Sequence, residues 1–134
     1  MIGEVIGVGK KHIVLVFDIG TQSTRALLIS SDGQVIAKAQ KGHHPAYISK
    51  QSGWAEQEAD FYYENICRVA RQLKEGFPEA YAAAEAVTLT TIRCTSVCVG
   101  SDGKPLRPAI LWLDQRRAKG RPRLKPWGAA AVKA

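Results

Sequence analysis

Asp18 follows an apolar run, His12-Ile-Val-Leu-Val-Phe17, and precedes a polar stretch, Gly20-Thr21-Gln22-Ser23-Thr24, that ends on Arg25. A carboxylate at the end of a core strand is costly to bury unless something pairs with it. A divalent cation, held directly or through water, is one such partner. A tight turn over Gly20 to Thr24 would aim backbone N–H groups into one concavity, which suits an anion. Thr21 and Ser23 add hydroxyl donors, and Arg25 offsets phosphate charge. Read this way, the segment is a cradle for nucleotide phosphates with Mg²⁺. The same residues also suit a plain hairpin in which Asp18 caps its own turn. The segment alone does not choose between the two.

Other candidates carry less. Gly7-Val-Gly9-Lys10-Lys11 is out of register for a Walker-type phosphate loop, has no Ser or Thr after the lysine, and precedes the strand it ought to follow. Cys94 and Cys98 are four apart and Cys67 is remote, with no histidine at a zinc-ligand spacing. His43 and His44 fall in a Gly/Pro loop and read as solvated. Arg93 interrupts an apolar strand pattern, as either a surface residue at a strand end or a side chain entering a cleft. Trp54, Trp112, Phe61, Tyr62 and Tyr63 are not interleaved with Lys or Arg, so they read as packing residues and not as a base-stacking platform.

Strands must deliver these groups. The run ending at Phe17 reads as a buried strand. Arg25–Ile29 resumes as a second, Ser31-Asp32-Gly33 is a turn, and Gln34–Ala39 is a third, giving an antiparallel meander. Residues 42–57 read as loop. A helix begins near Ala59-Asp60, with Phe61, Tyr62, Ile66, Val69, Ala70 and Leu73 on one face; Gly76 and Pro78 stop it. The alanine-rich stretch Glu79–Ala86 predicts a second short helix. Val87–Ile92, Thr95–Val99 and Pro108–Trp112 predict strands, the last two joined across a Ser101-Asp102-Gly103 turn.

The chain has 134 residues, 46% hydrophobic and 23% charged, which fits one globular domain and not a disordered segment. No apolar run reaches the ~18–20 residues of a membrane span, and residues 1–11 form a loose lead-in without a secretory pattern. Three cysteines with no export signal predict reduced thiols in a cytoplasm. The net charge of +7 is one-sided, because residues 1–114 hold all 12 acids and as many of the 19 Lys and Arg. A nucleic-acid domain carries its basic stripe on the folded body, so no specific nucleic-acid partner is expected. Residues 118–134, basic and rich in Pro, Gly and Ala, predict a disordered tail.

Four stretches together resemble the start of the FGGY family of carbohydrate kinases, which includes glycerol kinase, xylulokinase and gluconokinase. They are Phe17-Asp-Ile-Gly-Thr-Gln-Ser-Thr-Arg25, Gly53-Trp-Ala-Glu-Gln57, Leu89-Thr-Thr-Ile-Arg93, and Gly103-Lys-Pro-Leu-Arg-Pro-Ala-Ile-Leu-Trp-Leu-Asp-Gln-Arg116. The first piece alone is shared with hexokinases, actin and Hsp70-type chaperones; the second and fourth point to the kinases. The resemblance implies an α/β fold: an actin-like ATPase (ribonuclease H-like) domain over residues 12–117, incomplete, with the meander inside a mixed sheet. It implies ATP and Mg²⁺ as cofactors, a sugar or polyol as substrate, and a homo-oligomer for the full-length relative. It places Asp18 beside Mg²⁺ and assigns Asp18, Gly20, Thr21, Gln22, Ser23 and Arg25 to the phosphates. Arg93 matches a position that contacts substrate hydroxyls in glycerol-kinase-like members, but those carry a glutamate where this chain has Cys94. The family's general base and adenine pocket are expected beyond residue 134. The chain is accordingly expected to be a truncated or frame-shifted product, inactive and prone to aggregate by itself. Two other classes fit parts of the sequence. One is a fragment of another actin-like ATPase, of chaperone or acetate-kinase type. The other is a non-enzymatic module whose basic tail grips an acidic partner.

Overall fold

A computed structural model describes residues 11–117. The lead-in before Lys11 and the basic tail after Arg117 lie outside the described residues. The elements run β1 (Ile13–Ile19), β2 (Ser23–Ser30), β3 (Val35–Gly42), β4 (Glu56–Gln57), α1 (Ala59–Gly76), α2 (Pro78–Ala82), β5 (Ala84–Thr91) and β6 (Ala109–Ile110). A four-stranded mixed sheet has the order β3-β2-β1-β5. The first three strands are the expected antiparallel meander, and β5 pairs parallel to β1 after the crossover through α1.

The meander closes through two tight turns. Gly33 sits at φ +84° between β2 and β3, a conformation that suits glycine. Alternation then sets the faces. Leu15 faces Leu28 and Phe17 faces Ala26 across β1 and β2, while Leu28 faces Ala37 across β2 and β3. These side chains point to one face of the sheet, where Val69 and Leu73 of α1 complete the core. Of the stripe that the sequence period predicts, Val69 and Leu73 are buried and Phe61, Tyr62, Ile66 and Ala70 half-buried, with one addition. Asn65, one turn before Val69, is also buried, its Nδ2 donating to the Phe61 carbonyl at 2.7 Å.

Three expectations are corrected. The second helix ends at Ala82 and not Ala86, because β5 begins at Ala84 and its backbone finds hydrogen-bond partners on β1, which override helix propensity. Thr95–Val99 forms no strand; it makes only single bridges, Ser96 to Ile110 and Val99 to Pro105. β-branched residues gain from extension only with a partner strand beside them. The last strand shrinks to β6, which pairs with β4 in a small second sheet, Glu56 opposite Ile110 and Gln57 opposite Ala109.

Candidate active site

Between β1 and β2 the turn is only three residues long. β1 continues to Ile19, so Asp18 lies within the strand, directly across from Arg25. The guanidinium Nη1 donates to Asp18 Oδ2 at 2.6 Å, making a part-buried cross-strand ion pair. The Gly20 N–H donates to the Ser23 carbonyl at 2.9 Å. A Cβ on Gly20 would stand 3.2 Å from that same oxygen, so the turn is tightest where the glycine occurs.

A cleft of about 490 Å³ opens in front of this turn. One wall is Asp18, Ile19, Gly20 and Thr21; the other is Thr91, Ile92, Arg93, Cys94 and Trp112. The parallel pairing of β1 with β5 brings the walls together, since both strands end on the same side, Ile19 beside Thr91. Trp112 closes the rim, its Nε1 donating to Thr21 Oγ1 at 3.0 Å. Cys94 has a left-handed backbone, φ 57°, at the end of β5 where the chain turns along the cleft.

Two of the motifs that carry the resemblance are physically clasped. The Leu111 N–H donates to the Ala55 carbonyl, and the Gln115 N–H to the Gly53 carbonyl. Asp114 accepts from the Ala55 N–H at 2.8 Å and from Arg116 Nε at 2.8 Å. Arg116 also reaches Glu56 Oε1 at 2.8 Å and lies over the Trp54 ring, 4.1 Å from its centroid. The Arg116 guanidinium holds the Asp114 carboxyl well below the usual carboxylate range. This clasp positions Trp112 at the cleft.

Of the expected site residues, the structure puts Asp18, Gly20, Thr21 and Arg93 on the cleft and leaves Gln22, Ser23 and Arg25 off its walls. Ser23 is buried and Arg25 is spent on Asp18. The cysteines are free thiols, Cys94 and Cys98 exposed. His43 departs from the expectation of a solvated side chain: it is 2% exposed behind the turn. Burial pushes its pKa below the ordinary histidine value, against the opposing effect of its bond to the Thr21 carbonyl. The sequence pattern ends the third strand at Ala39, but β3 runs on to Gly42 and so reaches His43. In the fold Gly42 pairs with Ser23, and His43 lands behind the turn.

Magnesium takes one or two carboxylates plus phosphate oxygens and water, not a protein cage. Asp18 fits that role. It is the sole carboxylate on the cleft wall, and its Oδ1 accepts no hydrogen bond among the described residues. No group of three or more His, Cys, Asp or Glu that could cage an ion occurs among them.

The N-terminal domain model of the FGGY family of carbohydrate kinases matches residues 13–130. The chain belongs to this family. The match runs past Arg117, where the motif resemblance ends. Among curated relatives, the glycerol kinase of Rhodospirillum rubrum is 35% identical over 120 residues, covering 89% of this chain and 24% of its own length. The L-fuculokinase of Salmonella typhi is 26% identical over 109 residues, covering 81% and 23%. Among solved structures, the xylulose kinase of Rhodospirillum rubrum superposes with a TM-score of 0.70 at 30% identity, covering 80% of this chain and 21% of that one. The xyloylose kinase of Brucella ovis gives 0.74 at 25%, covering 78% and 22%. The chain thus spans about a quarter of the length of the curated relatives it matches, with the actin-like fold of sugar kinases. Family membership decides against the chaperone and acetate-kinase readings.

Proposed function

We propose that residues 12–117 are part of the N-terminal domain of an ATP-dependent carbohydrate kinase, in which the β1–β2 turn receives the phosphates and the β5–Trp112 wall receives the sugar or polyol. The observation that carries this reading is the shared cleft, with Asp18, Gly20 and Thr21 facing Arg93 and Trp112. Phosphoryl transfer asks a protein mainly to position groups and to neutralise spreading charge. Gly20 brings the backbone close without a side chain. Asp18 would hold Mg²⁺, which when bound neutralises charge on the β- and γ-phosphates. Gln22 completes the turn, Ser23 holds the Gly20 amide, and Arg25 fixes the Asp18 carboxylate. Arg93 donates to acceptor hydroxyls. Cys94 offers no carboxylate there, which departs from the glycerol-kinase-like pattern. The ADP in the solved Plasmodium falciparum glycerol kinase agrees with a nucleotide role for the family.

Among the described residues the cleft wall carries one carboxylate, Asp18, whose Oδ2 is paired with Arg25, and the chain spans about a quarter of the length of its curated relatives. The 134 residues assayed alone are accordingly expected to show no turnover. Binding is the direct test. A Mg²⁺ ion held by Asp18 would draw phosphate oxygens to the turn, so ADP should bind the chain more tightly when Mg²⁺ is added. The gain should be about five- to tenfold, the worth of ~1 kcal/mol between partly exposed charges. Asp18→Asn should abolish the Mg²⁺ dependence. Equal Mg²⁺ dependence in both proteins, read from Gly20 and Thr21 amide resonances, would exclude the site.

A further inference from the structure

His43 makes three contacts, two to the β1–β2 turn and one to the start of β2. Its backbone N–H donates to the Gln22 carbonyl at 2.8 Å. Its Nδ1 lies 3.1 Å from the Thr21 carbonyl, and its Nε2 lies 2.9 Å from Thr24 Oγ1. A carbonyl only accepts, so Nδ1 carries the proton, and Nε2 then accepts from the Thr24 hydroxyl. The ring is wedged edge-on against Phe61 and Tyr62 of α1, at centroid distances of 5.0 and 5.9 Å. Thr24 is itself fully buried. The side of the turn that faces away from the cleft is therefore held by one residue, through its backbone at Gln22 and its side chain at Thr21, and the helix behind fixes that side chain.

We propose that His43 is a positioning residue for the Thr21–Gln22 peptide, holding the turn from behind in the shape it presents to phosphate. The functional half of this inference rests on the phosphate reading above; the mechanical half does not. Two of the three bonds end on the carbonyls of Thr21 and Gln22. The Thr21 carbonyl drawn back toward the His43 side chain turns the Gln22 N–H of the same peptide the opposite way, because a peptide plane moves as a unit. The neutral Nδ1–H tautomer suits the work. It donates to the carbonyl without adding charge behind a site where Arg25 already stands, and the groups nearby, Lys41 and His44, oppose its protonation. Tyr62, also desolvated, contributes no charge near neutrality.

Three forms of the full chain test this: wild type, His43→Ala and His43→Asn. Asparagine places an amide N–H where Nδ1 stood, so it keeps the bond to Thr21 but loses the ring contacts. Both variants should melt at lower temperature than wild type. Hydrogen exchange at the Gly20 amide should accelerate about tenfold in His43→Ala, the worth of one neutral hydrogen bond, and return to near the wild-type rate in His43→Asn. Thr24→Val, nearly isosteric, provides a check should His43→Ala fail to fold, with a smaller acceleration expected. Imidazole ¹⁵N shifts of wild type should report the Nδ1–H tautomer at neutral pH. An Nε2–H tautomer, or equal Gly20 exchange in wild type and in whichever of His43→Ala and Thr24→Val folds, would overturn the proposal. Titration with Mg²⁺ and tripolyphosphate separates the two halves. Loosened exchange with no tripolyphosphate binding in any form sinks the phosphate reading and leaves the mechanical role standing. Binding of equal strength in wild type and the folded variants removes the functional role of His43.

Discussion

Arg116 makes contacts of three kinds at once: a forked bond to Asp114, an ion pair to Glu56 and a stack on Trp54. Lysine could keep one of these but not all, because only the planar fork bonds and stacks together. Arg116→Lys should lower the melting temperature more than a lysine swap at exposed Arg107. Asp114 adds a pH signature. Its folded pKa lies below the unfolded carboxylate value of 3.8, so its contribution to stability is complete above that value and is lost as pH falls through the folded pKa. Asp114→Asn should be less stable at pH 7, and urea midpoints should show the gap to wild type closing below about pH 3.8. At this scale the sequence was legible where residue type is restrictive. A carboxylate after an apolar run, a glycine and a hydroxyl pair pointed to the turn. The partners were not legible, since the bonds of Asp18 with Arg25 and of Trp112 with Thr21 depend on register and on a chain reversal that the local sequence does not encode.

The helix α1 and the meander make one packed layer. Val69 and Leu73 share one buried cluster with Leu15, Phe17 and Leu28. Leu73→Ala should cost about 2–5 kcal/mol by chemical denaturation, the range for a buried leucine that leaves a cavity. Tyr63→Ala, on the exposed face of the same helix, should cost little. The period of α1 and the alternation of β1–β3 were readable because each element buries one stripe and exposes the other. The start of β5 was not readable. Ala84 and Ala86 are strong helix formers, and only the bare edge of β1 turns them into a strand. Residues 42–57 read as loop in sequence because the two that pair, Glu56 and Gln57, bond to β6, more than fifty positions away.

At the scale of the molecule, the sheet is unevenly covered. α1 shields β1 to β3, but no described element covers β5, where Val87 is 65% and Leu89 59% exposed. An open strand edge with apolar side chains promotes self-association. Sedimentation of the chain should show mass rising with concentration. Replacing Val87 and Leu89 together by Lys should suppress that rise with little change in melting temperature, because neither side chain is packed. The parallel pairing of β1 with β5 has one further consequence, which concerns synthesis. The meander can close as soon as residue 42 leaves the ribosome, but β1 acquires its second neighbour only when residues 84–91 follow. Until then one flank of the first-made strand stays open, and that interval gives a chaperone its opportunity to bind.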